Sequence, residues 1–431
     1  MSSIDAAGLQ SDWLSDCVEQ FRCIGPACEE SCCGGWQITM DEPTLVVLRG
    51  LQDPGVKDVL AASVRRFPGQ RAGAQGAGTQ FGWIELKRDG SCPFLNAEQW
   101  CSLQAGHGEA AMPLGCRVYP RVHHRIDGRL HSALSLSCPE AARQVLAAGV
   151  VAPGANSGSA EETQLTARVL AETAARLPQT ATRTEIFWPL LRVHQALVRD
   201  RSQSMAARML RMGQLAQRLD AQPDGNAAAA LRGFCLTAAE TAGRNGTDAG
   251  IDAGIHGDEV AAEPLEFLLA AMDRALGFAG SNQRFRALTA KVLRGLRYQP
   301  GCDLRATCQR LRAEKLEPVL AAHPQWMENI LCNELLRRLY PLSLAHGNGA
   351  DGSSKDASAM DAFAQWSLEW VWVRLYLIGA CGDGPLELAQ AADCVQSLTR
   401  AVFARTEEFG RLCRAWREQM QRVPLERLLS L

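Results

Sequence analysis

Four cysteines crowd into eleven residues near the start of this chain, and any fold it adopts has to accommodate them. The stretch Phe21-Arg22-Cys23-Ile24-Gly25-Pro26-Ala27-Cys28-Glu29-Glu30-Ser31-Cys32-Cys33-Gly34-Gly35-Trp36 spaces them as Cys23-x4-Cys28-x3-Cys32-Cys33. Short loops let several sulfurs converge on one place, and glycine lets the backbone approach an inorganic core. Cys32 and Cys33 project in different directions, so they make a poor disulfide and can serve two separate ligation points. Four more cysteines follow beside turns, prolines or strand ends: Cys92-Pro-Phe-Leu, Cys101, Cys116-Arg-Val-Tyr-Pro-Arg and Cys138-Pro-Glu. Cys17, inside an apparent helix, is a weaker ninth candidate. The remaining seven of sixteen cysteines, from Cys235 to Cys413, are scattered and read as small core hydrophobes.

The first residues carry acidic side chains where a signal peptide carries basic ones, so the expected location is the cytoplasm, where structural disulfides are rare. That leaves a soft-metal site. Zinc prefers a tetrahedral set, usually from two CxxC pairs, and no CxxC occurs here. An iron–sulfur cluster accepts four thiolates at more varied spacing, so it is favoured and zinc is kept as the alternative. A radical-SAM pattern, Cys-x3-Cys-x2-Cys, begins at Cys28 and Cys32 but fails at Gly35. Gly73-x2-Gly76-x-Gly78 is the nearest approach to a dinucleotide fingerprint and lies in a loop. No HExxH, GxSxG or GxxxxGK[ST] occurs.

A formal net charge of −2 argues against a nucleic-acid partner, which needs a basic excess. The most apolar stretch, Phe363–Cys381, is interrupted by Glu369 and Arg374 and reads as a buried helix rather than a membrane span. Histidines 107, 123, 124 and 131 rank below the cysteines as ligands, with His123 and His131 placed to pair across a hairpin. Arg117, Arg121 and Arg125 lie near Cys116 and can bind a ligand carboxylate or offset a thiolate cluster.

The pattern divides the chain into a Cys-rich metal-binding module, 1–150, and a helical domain, 151–431, with the small-residue linker 148–160 at the boundary. In the module, Phe81–Lys87 alternates like a strand and ends at the turn pair Asp89-Gly90, after a loop over Arg65–Gln80. Arg121–Ile126 and Arg129–Leu134 flank Asp127-Gly128 and read as a hairpin. A helix follows at Pro139–Ala148. Beyond the linker, helical spacing covers Glu161–Arg176, Glu185–Asp200, Met205–Leu219, Ala227–Ala242, Val260–Leu276, Gln283–Leu296 and Pro324–Tyr340. Loops are expected near 243–258 and 346–358. The fold class is therefore mainly α: a cluster-binding N-terminal module with small β hairpins, packed on a C-terminal all-helical domain.

The cysteine series resembles the flagellin lysine N-methylases, bacterial proteins that methylate flagellin lysines. The resemblance rests on Phe21–Trp36, Cys92-Pro-Phe-Leu, Cys116–Arg121 and Ser137-Cys138-Pro-Glu. It extends to Glu328-Asn329-Ile330-Leu331-Cys332-Asn333-Glu334-Leu335, running to Leu339-Tyr340-Pro341. The cysteine motifs are also similar to a broader group of zinc- or iron-chelating proteins, whereas the Glu-Asn helix and the chain length favour the methylases. The resemblance implies a [4Fe-4S] cluster, methyl transfer from S-adenosylmethionine, and flagellin as substrate. Its implied metal ligands are Cys23, Cys28, Cys32, Cys33, Cys92, Cys101, Cys116 and Cys138. A lysine must lose a proton before it attacks a methyl group, and Glu328, Tyr119 and Tyr340 are the candidate bases. Arg117, Arg121 and Asn329 are the candidate cofactor-binding residues. One cluster takes four ligands while eight cysteines line up: some thiols are structural, a second metal is present, or the single-cluster account is incomplete. A non-catalytic zinc- or iron-chelating protein and an iron–sulfur electron carrier are the alternatives.

Overall fold

The computed structural model describes residues 12–67, 80–126, 129–149, 160–177, 183–222, 227–243, 259–280, 282–340 and 358–431. It is mainly helical with two small antiparallel sheets. The chain forms two compact units. A cysteine unit comprises Gln20–Val122 with Cys138–Ala141, and a helical unit comprises Met1–Glu19, His123–Ser137 and Ala142–Leu431.

In the cysteine unit, strands β1 (Ile38–Asp41), β2 (Val64–Arg66) and β3 (Gln80–Ile84) form one sheet in the order β1-β3-β2. Ile38 and Val64 both stand opposite Ile84. The alternation foreseen over Phe81–Lys87 is present in β3, where Ile84 is buried and Phe81 and Trp83 are half-buried. The loop expected over Arg65–Gln80 is shorter at both ends: Arg65 and Arg66 pair in β2 and Gln80 in β3, while residues 68–79 lie outside the described residues. Two short helices start on aspartates. Asp41 accepts from the Thr44 amide at 2.9 Å and Asp53 from the Val56 amide at 3.2 Å, and a proline stands in each first turn. Their buried faces, Leu45, Leu48, Val56 and Leu60, join Ile38, Met40, Ile84, Phe94 and Leu103 in one apolar core.

The helical unit is organised around the helix Ala359–Gly382. Its residues are apolar on every side, which fits a helix surrounded by others. It packs against Met205–Asp220, Gln283–Gly295, Leu304–Leu311, Leu388–Leu398 and Thr406–Arg422. The two charges that interrupt the apolar run are paired: Glu369 with Arg338, and Arg374 with Glu317. Ser358 and Asp361 form a capping box at its start. Among the described residues no helix is long and apolar enough to cross a membrane. Ala160–Arg176, Arg183–Arg199, Met205–Asp220 and Ala227–Gly243 pack in succession as a four-helix group.

Strands β4 (Arg121–Ile126) and β5 (Arg129–Leu134) form the second sheet, and their turn, Asp127-Gly128, lies outside the described residues. So do most of the linker and of the two expected loops, at 150–159, 244–258 and 341–357. The Gln325–Arg338 helix holds β5 through one side chain. Asn333 accepts from the Leu134 amide at 3.0 Å and donates to the Leu134 carbonyl at 2.8 Å, entirely out of contact with solvent. His124 Nε2 donates to the Arg337 carbonyl on the same side. Removing one partner from a buried pair leaves the other unsatisfied, at about 1–3 kcal/mol per group. Asn333→Ala is therefore expected to destabilise the helical unit by about 2–4 kcal/mol, measured by denaturant unfolding; an unchanged midpoint would show that Asn333 does not hold the hairpin.

Candidate metal centre

The cysteine unit brings together sulfurs that are far apart in sequence, and a few backbone contacts do most of this. Gly25–Ala27 makes a single 3-10 turn, closed by the Cys28 amide on the Gly25 carbonyl at 3.0 Å. This places Cys23 and Cys28 on either side of the turn. After Cys32 and Cys33 the chain needs two glycines. Gly34 lies so close to the Asp89-Gly90 turn that a Cβ there would stand 2.5 Å from the Gly90 carbonyl oxygen. Gly35 has φ +77°, in the left-handed region. With that approach made, the Cys92 amide donates to the Cys33 carbonyl at 2.8 Å. Leu95 then bridges to Cys101, and the Ser102 amide donates to the Phe94 carbonyl at 2.8 Å. Cys116 sits in the short helix Leu114–Val118, whose first amide donates to Asp41. Cys138 directly precedes the helix Pro139–Ala147.

All eight of these cysteines line one cavity of about 310 Å3. Ile38, Ile84, Phe94 and Leu103 form its apolar floor. Trp36 and Trp100 also line it and are 39% and 40% exposed. Trp36 Nε1 donates to the Cys32 carbonyl at 2.9 Å, which fixes the indole. Arg117, Tyr119 and Arg121 complete one wall. Arg121 is already engaged, donating to the Phe21 carbonyl at 2.9 Å and lying over the Phe21 ring. Trp100 was not foreseen as a site residue; its position immediately before Cys101 was the only signal in the sequence.

The sulfurs are not equivalent. Cys33, Cys92, Cys101 and Cys116 belong to or pack on the apolar core. The Cys33 thiol is hydrogen-bonded to those of Cys101 and Cys32, so the divergence expected for Cys32 and Cys33 is not what the fold makes. Cys116 has the sulfurs of Cys33, Cys92 and Cys101 as near neighbours. Cys138 instead neighbours Cys28 and Cys23. Burial pushes the thiols of Cys92 and Cys138 up to about 11. Burial, then the neighbouring sulfurs, raises Cys116 further. Four of the sulfurs nonetheless receive backbone N–H donors: Cys23 from Gly25, Cys92 from Phe94, Cys101 from Leu103 and Gln104, and Cys138 from Glu140 and Ala141. Among the described residues no three His, Cys, Asp or Glu side chains are gathered closely enough to hold a single metal ion.

Other candidates lie elsewhere. Cys17 is in the helical unit, its thiol directed at the Gln144 carbonyl. His107 pairs with Asp53 at 2.9 Å in the cysteine unit. His123 meets Ser132 across the hairpin rather than His131, and His131 is buried against Trp188. Glu328 and Asn329 are in the helical unit and are fully engaged. Glu328 takes Arg201 on both oxygens, at 3.0 and 2.9 Å, and Arg208 at 3.0 Å. Asn329 donates to the carbonyls of Val145 and Ala148, which end the Pro139–Ala147 helix. Tyr340 is buried between Trp366 and the edge of His194, and burial raises its phenol. Sequence alone did not reveal Arg201 and Arg208, because they lie more than a hundred residues from Glu328.

Residues 195–430 match the FliB lysine N-methylase C-terminal domain family. The chain belongs to this family. Its relatives include the flagellar biosynthetic protein FliU of Salmonella muenchen, 29% identical over 132 residues, which is 30% of this chain and 73% of FliU. The lysine-N-methylases of Salmonella choleraesuis (strain SC-B67) and Salmonella typhimurium (strain LT2) are each 29% identical over 132 residues, or 30% of this chain and 31% of theirs. The matched stretch thus spans under a third of either lysine-N-methylase. No solved structure matches.

Breaking a buried ion pair by removing one charge costs about 3–5 kcal/mol, because the other is left uncompensated. Glu328→Gln is expected to lower the unfolding free energy by about 3 kcal/mol, while leaving intact the visible spectrum of any cluster bound to the folded protein. Unchanged stability with lost activity would restore Glu328 as a catalytic base.

Proposed function

We propose that this chain is a lysine N-methyltransferase that acts on flagellin, using S-adenosylmethionine and an iron–sulfur cluster held by cysteines of the cavity. The observation that carries the reading is the convergence of eight motif cysteines on one cavity, in a chain whose residues 195–430 belong to a lysine N-methylase family. Two relatives are named lysine-N-methylase and one flagellar biosynthetic protein, which supports flagellin as the substrate.

The residues present fit a thiolate-bound cluster. Sulfur is the right donor, and amide N–H groups aimed at sulfur favour its anionic form. At about 310 Å3 the cavity far exceeds the roughly 10–15 Å3 that one water needs, which suits a many-atom core better than a lone zinc ion. Bound there, the cluster would supply an electron-rich, soft centre beside the substrate. In the transfer itself the neutral lysine Nε attacks the methyl carbon of the sulfonium. The carbon–sulfur bond breaks, S-adenosylhomocysteine leaves, and the Nε proton passes to a base or to water.

Among the candidate bases, Tyr119 is the one that lines the cavity, and we assign its phenolic oxygen to hold the attacking amine. Glu328 is given a structural role, since both of its oxygens are held by guanidiniums. Arg117 lines the same wall and is assigned the carboxylate of the methyl donor. The exposed indoles of Trp36 and Trp100 offer faces to an incoming lysine ammonium.

The test is transfer of labelled methyl groups from S-adenosylmethionine to purified flagellin by protein prepared without oxygen. Methylated lysines are expected by mass spectrometry. Trp100→Ala is expected to raise KM for flagellin roughly fivefold, from about 1 kcal/mol of cation–π binding, with a smaller change in kcat. A bound cluster with no transfer to any flagellin lysine would instead leave a metal-binding or electron-transfer protein.

A further inference from the structure

We propose that the cavity is built for two iron–sulfur centres: one on its floor, held by Cys33, Cys92, Cys101 and Cys116, and one at its mouth, held by Cys23, Cys28, Cys32 and Cys138. This rests on the iron–sulfur reading above and extends it.

The floor four share one environment. Cys92 lies within the apolar core, and Cys33, Cys101 and Cys116 pack against it. The backbone contact between Cys33 and Cys92 and the bridge from Leu95 to Cys101 hold three of the sulfur-bearing segments as a unit. The mouth four lie outside that core. Cys23 is exposed, Cys28 and Cys32 are half-buried, and Cys138 is buried at the start of its helix. Cys138 has Cys23 and Cys28 as its sulfur neighbours, from the opposite ends of the Gly25–Ala27 turn.

Each set supplies four thiols, the number that one cluster takes. Each also contains sulfurs that already accept amide N–H groups, Cys92 and Cys101 on the floor and Cys23 and Cys138 at the mouth. The adjacent Cys32-Cys33 pair then has a physical reason. The Cys32 and Cys33 thiols are hydrogen-bonded to each other, so the pair stands where the two sets meet and one run of sequence can feed both centres, as in two-cluster ferredoxins. Cys33 also hydrogen-bonds Cys101, which ties it to the floor, and the glycine at 34 admits the Gly90 carbonyl beside it; Cys32, on the other side of this contact, is left for the mouth set.

The experiment is iron and acid-labile sulfide analysis of the full chain prepared without oxygen, with electron paramagnetic resonance of the reduced protein. It compares wild type with a mouth variant, Cys28→Ser/Cys138→Ser, and a floor variant, Cys92→Ser/Cys116→Ser. About eight irons per chain are expected in wild type and about four in the mouth variant, with a spectrum broadened by two interacting centres that simplifies in the variant. Because the mouth residues are outside the apolar core, that variant is read even where the floor variant fails to fold. About four irons in wild type, whether the mouth variant keeps them all or loses them all, would overturn the two-centre proposal and leave a single cluster. No iron in wild type would overturn both this proposal and the iron–sulfur reading.

Discussion

Buried sulfur is the constraint on which the cysteine unit depends. A buried thiol stays protonated unless positive charge arrives, and burial pushes Cys92 on the floor and Cys138 at the mouth up to about 11. Crowding makes this worse for Cys116, which faces three other sulfurs. Few arrangements explain why a chain would gather eight thiols around one cavity and then aim backbone amides at four of them. A cationic core bound by thiolates removes the conflict, because it supplies the charge that burial withholds. The surrounding structure gathers these sulfurs: β3 and the capped helices make the floor, and the Gly34 contact with the Asp89-Gly90 turn accompanies the backbone bond between Cys33 and Cys92.

The helical unit solves a different problem, the burial of polar groups. Its Gln325–Arg338 helix is enclosed for most of its length and still carries Glu328, Asn329, Asn333 and Glu334. Each has a distinct partner. Glu328 takes Arg201 and Arg208, Asn329 the end of the Pro139–Ala147 helix, Asn333 the backbone of β5, and Glu334 both Arg337 and Arg338. Burial pushes Glu334 up, but the two guanidiniums outweigh it and hold the carboxyl below the usual carboxylate range. Glu369, sharing Arg338, is pushed up by burial, with Arg338 pulling it down and Glu334 adding to the rise. Such a network specifies one arrangement of helices, since any slip leaves a buried charge or amide without its partner.

Elements whose signal is local were legible in the sequence. The β4/β5 strands, the turn at Asp89-Gly90 and the seven helices expected from Glu161–Arg176 to Pro324–Tyr340 follow from hydrophobic period and turn chemistry, with ends displaced by a residue or two, whereas the short helices Leu304–Leu311 and Glu317–Ala322 were not anticipated. Strands β1 and β2 are three or four residues long and exist because β3 pairs with both, so neither announced itself. The cysteines were readable as candidate ligands from their neighbours alone. Their division into floor and mouth was not, because it depends on which sulfurs meet the core formed by Ile38, Ile84 and Leu103. Glu328 and Asn329 were attractive as catalytic groups for the same reason. Their partners, at Arg201, Arg208, Val145 and Ala148, are far away in sequence and invisible to spacing.

The most direct test of this account is anomalous scattering from a crystal grown without oxygen, with data collected on both sides of the iron and zinc absorption edges. Iron peaks inside the cavity, within bonding distance of sulfurs from Cys33, Cys92, Cys101 and Cys116, are the predicted result. A cavity with no anomalous density, or one with a single zinc peak, would contradict it.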